Sequence, residues 1–85
     1  MNKKEKQFVG DMKRRRGIDF AKIGMMVEVD GHIGTIVGMN SSCNLDVIFA
    51  NQQRFGKSKS NCHPTWKTRY FDKDGNVIAD YTKGQ

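Results

Sequence analysis

From Met25 onward, apolar and polar positions alternate over short stretches, and glycines break the alternation at regular intervals. In Met25-Met26-Val27-Glu28-Val29 the alternation sets Val27 and Val29 on one side of a strand and Glu28 on the other. Asp30-Gly31 follows as a tight-turn dipeptide. Ile33 to Gly38 makes a second strand, whose glycines allow a bulge or a close strand approach. After an Asn40-Ser41-Ser42 loop, Asn44 to Phe49 is the clearest strand, with Leu45, Val47 and Phe49 inward and Asp46 outward. Residues 50–60 are polar and read as a long loop or an irregular edge strand.

Further along, Trp66, Thr68 and Tyr70 alternate with Lys67, Arg69 and Phe71, which places Trp66 in the core. The alternative for Trp66 is a stacking platform beside Lys67 and Arg69. Asp72-Lys73-Asp74-Gly75 predicts a type I turn with Gly75 at positive φ, closing a hairpin onto Asn76 to Tyr81. Five or six short antiparallel strands between residues 23 and 85 predict a mainly β fold, a small barrel.

Residues 1–22 follow another rule. Phe8, Val9 and Met12 form one short apolar stripe at helical spacing, and charged residues fill the rest up to Arg16. Gly10 sits in the middle, at a cost of about 1 kcal/mol relative to Ala. The segment 3–16 is therefore expected as a weak helix or a mobile arm that stops at Gly17, ahead of a barrel domain over 23–85.

Charge changes the picture more than composition does. The net charge is +6. Residues 1–22 hold eight Lys or Arg against three Asp or Glu, a local +5, while the rest of the chain is close to neutral. A basic segment ahead of a near-neutral domain suits contact with a polyanion; a solvated tail that aids solubility is the plainer account. No apolar run approaches the roughly 18 to 20 residues that cross a bilayer, and no apolar stretch follows the charged start to make a signal peptide. A cytoplasmic protein without membrane contact is the expectation. Cys43 and Cys62 fit free thiols in a reducing cytosol, with a disulfide between them left open.

The run from Ile23 to Gly38 resembles the KOW motif and related SH3-like barrels, with Gly24, Val27, Val29, Gly31, Gly34 and Ile36 at the matching positions. The resemblance covers about sixteen residues and implies an SH3-like (KOW-like) barrel, a fold that binds RNA, DNA, peptides or modified tails. The turn is shorter than the usual form of the motif. A wider pattern takes in Asn44-Leu45-Asp46-Val47, Asn61-Cys62-His63-Pro64-Thr65-Trp66 and Tyr70 to Ile78. It is similar to small uncharacterised proteins encoded by tailed bacteriophages, and implies a bacterial host cytoplasm.

Candidate chemistry is sparse. His32, Cys43, Cys62 and His63 meet none of the paired spacings of a tetrahedral zinc site. Adjacent Cys62 and His63 point to opposite faces of a strand, so a Cys–His nucleophile pair is not formed. With Gly75 at the sixth position of a calcium loop, Tyr70 and Tyr81 fall where oxygen ligands belong, and the loop fails. No metal, no cofactor and no catalysis are expected.

Two basic clusters remain. Lys13-Arg14-Arg15-Arg16 can neutralise several phosphates, and no Glu four residues earlier pairs with them. Arg54-Phe55-Gly56-Lys57-Ser58-Lys59 sets an aromatic among cations, where a base could stack, unless Phe55 folds back onto the barrel end. The expected function is non-catalytic binding of DNA or RNA through Lys13, Arg14, Arg15, Arg16, Arg54, Phe55, Lys57 and Lys59. The alternative is a phage-encoded module that engages a host protein through a sheet edge or an aromatic groove.

Overall fold

Asp30 and Gly31 are both left-handed, at φ 51° and 84°, as a two-residue turn between right-twisted strands requires. They join β1 (Met26–Val29) to β2 (His32–Met39), with Val29 opposite His32. The computed structural model describes residues 2–83. β3 (Leu45–Phe49) pairs with β2, and β4 (Ser60–Cys62) pairs with β3 after a short helix α2 (Gln52–Phe55). The chain then returns to the free side of β1 as β5 (Thr68–Phe71), and β6 (Val77–Asp80) pairs with β5. All pairs are antiparallel, in the order β4-β3-β2-β1-β5-β6. The last hairpin turns as its sequence predicts, with Gly75 at φ 86° and the Asp72 carboxylate accepting the N–H groups of Asp74 and Asn76, each at 2.9 Å.

The alternation in β1 and β3 puts Val27, Val29, Leu45, Val47 and Phe49 inside. Gly34 lets β2 lie close on β3: a methyl group there would sit 2.5 Å from Val47 Cγ1 and 3.0 Å from the Ile48 carbonyl oxygen. Residues 50–60, expected as loop or irregular edge, hold the short helix α2 and an irregular stretch over 56–59, and the edge strand β4 begins at Ser60.

Segment 3–16 is a full helix, α1 (Lys3–Arg16), and no detached arm. Its start is fixed by a capping box: Asn2 Oδ1 accepts the Glu5 N–H at 2.8 Å, and Glu5 Oε1 accepts the Asn2 N–H at 3.4 Å. Its end is fixed by Gly17 at φ 67°, after which the Ile18 N–H reaches back to the Met12 carbonyl. Phe8 and Met12 are fully buried in the same core as the strands, with Ile18 and Ala21 beside them. That packing stabilises a helix too short to be secure alone.

Three expectations are corrected. The sheet is open: β4 and β6 are its edges and do not pair with each other, so the barrel is not closed. The short β4 gives way at Cys62 to a turn through Pro64, and α1 covers core that further strand pairing would otherwise enclose. Trp66 is not core. Thr68 and Tyr70 are buried as the alternation requires, but Lys67 takes φ 46°, which breaks the period and turns Trp66 out to 46% exposure. Asp46, expected outward, is largely buried beneath Lys59. No helix among the described residues is long and apolar enough to cross a membrane.

Candidate functional site

The four cations at the end of α1 have different surroundings, because successive residues of a helix turn by about 100°. Lys13 is exposed. Arg14 forms an ion pair with Asp11, one turn earlier, so internal pairing does account for one of the four. Arg15 Nη2 donates to the Ser41 carbonyl at 3.3 Å. Arg16 is half-buried and staples the β2–β3 loop. Its Nε donates to the Cys43 carbonyl at 3.1 Å, and Nη2 to the Ser42 carbonyl at 3.0 Å and to Asn44 Oδ1 at 2.7 Å. Nη1 lies 3.3 Å from His63 Nε2. A planar fork of five donors fits such a cluster of loop oxygens. All four cations also face the negative end of the helix dipole, a stabilising placement with no ligand at all.

A different row of cations faces solvent. Lys3, Lys6 and Lys13 are exposed along one side of α1, with Gln7, Gly10 and Arg14 between them. No carboxylate lies within 4.0 Å of those three lysines among the described residues. Gly10 leaves the helix backbone low at the centre of the row; a methyl there would meet only Arg14 Nη1, at 3.8 Å. Sequence reasoning counted Lys3 and Lys6 as charge and missed them as a site. Plotting cations at the helical period would have found them.

One residue of the second basic segment lies near the start of α1, away from residues 13–16. Lys59 Nζ is 3.6 Å from Asp46 Oδ2. A methyl on Gly38 would stand 3.7 Å from both that oxygen and Lys4 Nζ. The start of α1 and the approach to β4 therefore share one flank of the sheet. Within that segment, Asn51 Oδ1 caps α2 by accepting the Arg54 N–H at 3.2 Å. Phe55 folds back: its ring centroid is 4.4 Å from Phe49 and 4.9 Å from His32, and the Arg54 guanidinium covers it at 5.5 Å. It offers a ligand less ring than its place in the sequence suggests. Lys57 is exposed.

The thiols and imidazoles are not assembled for chemistry. Cys43 Sγ packs against the Asp11 carbonyl at 3.7 Å. Burial, and then the charge of Asp46, push the Cys62 thiol up, away from the reactive thiolate. His63 Nδ1 accepts the Thr65 N–H at 3.2 Å, and its other nitrogen faces Arg16. Among the described residues, no three His, Cys, Asp or Glu side chains gather to hold a metal. One concavity, of about 910 Å³, is an open groove lined by Phe20, Lys22, Ile23, Met26, Phe71 and Ile78 among others.

Set against protein-family models, curated proteins and solved structures, the chain gives no match, so what it does has to be read from these side chains.

Proposed function

We propose that this protein is a non-catalytic nucleic-acid-binding module. The observation that carries the reading is the solvent-facing row Lys3, Lys6 and Lys13 on α1. Cations held on a rigid helix, without carboxylates to neutralise them, displace counterions from a phosphate backbone and give salt-sensitive affinity. Arg16 acts from behind, by fixing the loop on which this end of the helix rests. The fold behind the surface reads as an opened SH3-like, KOW-like barrel: β5 returning to β1, and the close approach at Gly34, support that assignment. The similarity to small phage proteins supports the bacterial host cytoplasm as the place of action.

A second reading, engagement of a host protein, is favoured by the open apolar groove and by Val77 and Ile78 on edge strand β6, which are 51% and 43% exposed. The test is a titration of labelled DNA and RNA at two salt concentrations, followed by anisotropy. Binding should weaken steeply with salt. The variant Lys3→Ala/Lys6→Ala/Lys13→Ala should flatten the salt slope by about two to three, one increment per lost phosphate contact, without changing the melting temperature. No binding at low salt sinks the reading and turns attention to the groove.

A further inference from the structure

We infer that Trp66 is a base-stacking platform and that the nucleic acid bound is single-stranded; the inference rests on the nucleic-acid reading above and specifies its ligand. Tryptophan has the largest apolar surface of any side chain, and a strand of alternating residues stood ready to bury this one beside Thr68 and Tyr70. The protein instead presents it to solvent, through a left-handed Lys67 that is not glycine.

The turn that carries Trp66 is held firmly. Thr68 Oγ1 donates to the Trp66 carbonyl at 2.7 Å, and the Trp66 N–H donates to the His63 carbonyl at 3.3 Å. From below, the buried Tyr70 hydroxyl donates to the Pro64 carbonyl at 2.6 Å. The Lys67 carbonyl accepts the Asp30 N–H at 2.9 Å, while its ammonium lies 3.7 Å from Asp30. The indole therefore stands on a fixed base.

Its neighbours are those a nucleotide needs. Lys67 Nζ lies over one face of the indole, 5.1 Å from its centroid, so a base would stack on the other face with this cation behind the ring. Through His63, the same turn touches Arg16, at the end of α1 that also carries Lys13 and Arg15. A base lying on the indole would have the cations at that end of α1 for the phosphates that flank it. Sequence-tolerant stacking of this kind requires a base with a free face. Duplexes keep their bases stacked on one another, so the arrangement selects single strands.

Trp66 is the chain's single tryptophan, so its fluorescence reports on this residue alone. The experiment titrates the intact protein with a labelled 12-nucleotide DNA, the same sequence as RNA, and the annealed duplex, and follows label anisotropy and tryptophan emission together. For single strands, emission should be quenched in step with anisotropy. Trp66→Ala should weaken single-strand binding by about 5- to 150-fold with an unchanged salt slope, and Trp66→Phe should restore most of it. Duplex binding should change less than twofold. An anisotropy rise with no quenching, and a Trp66→Ala variant that binds like the parent, overturns the platform and leaves the phosphate surface standing. No binding of any strand overturns both. Trp66 is exposed, so Trp66→Ala should melt with the parent; quenching of the unaltered protein tests the stacking without any variant.

Discussion

Gly34→Ala is the sharpest test of the fold. The added methyl would lie 2.5 Å from Val47 Cγ1, 3.0 Å from the Ile48 carbonyl oxygen and 3.2 Å from Phe49 Cδ1. Ordinary contacts begin near 3.4 Å, so the first overlap approaches a full ångström. Val47 is fully buried and β-branched, hence poor at escaping by rotation. The Ile48 carbonyl belongs to backbone and cannot step aside without moving β3. Overpacking of this kind costs about 1–3 kcal/mol, and a backbone neighbour argues for the upper part of that range. The stiffer unfolded chain of an alanine variant returns about 0.4–1 kcal/mol. A net loss of about 2 kcal/mol is large for a domain whose total stability is roughly 4–13 kcal/mol. It should lower the melting temperature by about 8–16 °C, measured by far-UV circular dichroism and by the urea midpoint. Gly38→Ala is the internal control, because its methyl would meet Lys4 and Asp46 only at 3.6–3.7 Å. If Gly34→Ala melts with Gly38→Ala and the parent, β2 and β3 do not approach each other this closely and the packing argument is wrong.

Arg16→Ala should cost about 1–3 kcal/mol by freeing the β2–β3 loop, whereas Lys13→Ala should stay within about 0.5 kcal/mol of the parent. Melting curves compare the two, and faster amide exchange at Ser42 to Asn44 would locate the loss. Gly10→Ala on the exposed side of α1 should raise stability by about 1 kcal/mol, read from the same curves. Burial pushes the Tyr70 and Cys62 acids above their ordinary values. Their neutral forms therefore stabilise the fold below about pH 9, and that contribution is lost as pH rises through the folded values. Tyr70→Phe should remove much of this alkaline sensitivity in a pH series of melts. Asp72 is held low, first by the Asn76 backbone N–H, and Asp80 first by the Thr82 hydroxyl. Their contribution is complete above about pH 4 and lost as pH falls through the folded values, so carboxyl NMR titrations should show both midpoints displaced downward.

Much of the sheet was legible because its signals are local. Asp-Gly tolerates left-handed φ at both turn positions, β1 alternates, and β3 buries Leu45, Val47 and Phe49 as its pattern requires, so the hairpins and inward apolar faces could be read from the sequence, although Asp46 between them is buried too. The helix was underrated because its hold is tertiary: Phe8 and Met12 offer a thin stripe, yet both enter the common core. The Asn2–Glu5 capping box was a readable signal that went unused. Trp66 could not be placed from pattern. A left-handed residue other than glycine costs roughly 1–2 kcal/mol, and contacts of the Lys67 carbonyl and ammonium with Asp30, distant in sequence, help to offset it. Nor can strand count alone tell a closed barrel from an open sheet; closure depends on whether the last strands reach the first edge or a helix fills the gap.

For the candidate site, the sequence supplied the charges but not their duties. Lys13 to Arg16 look equivalent when counted, but a helix sends them in different directions, and what each meets is set elsewhere. Cys43 is left-handed at φ 60° in the β2–β3 loop, where the carbonyls of Ser42 and Cys43 come within reach of Arg16. An arginine bound to those carbonyls is a structural cation. Removing Arg14, Arg15 and Arg16 together would therefore mix lost binding with a loosened loop and a broken Asp11 pair, and weaker affinity would not identify the phosphate contacts. Replacing Lys3, Lys6 and Lys13 avoids the confusion: an exposed lysine without a carboxylate partner contributes little to stability, so a flattened salt slope at unchanged melting temperature reports on the ligand alone.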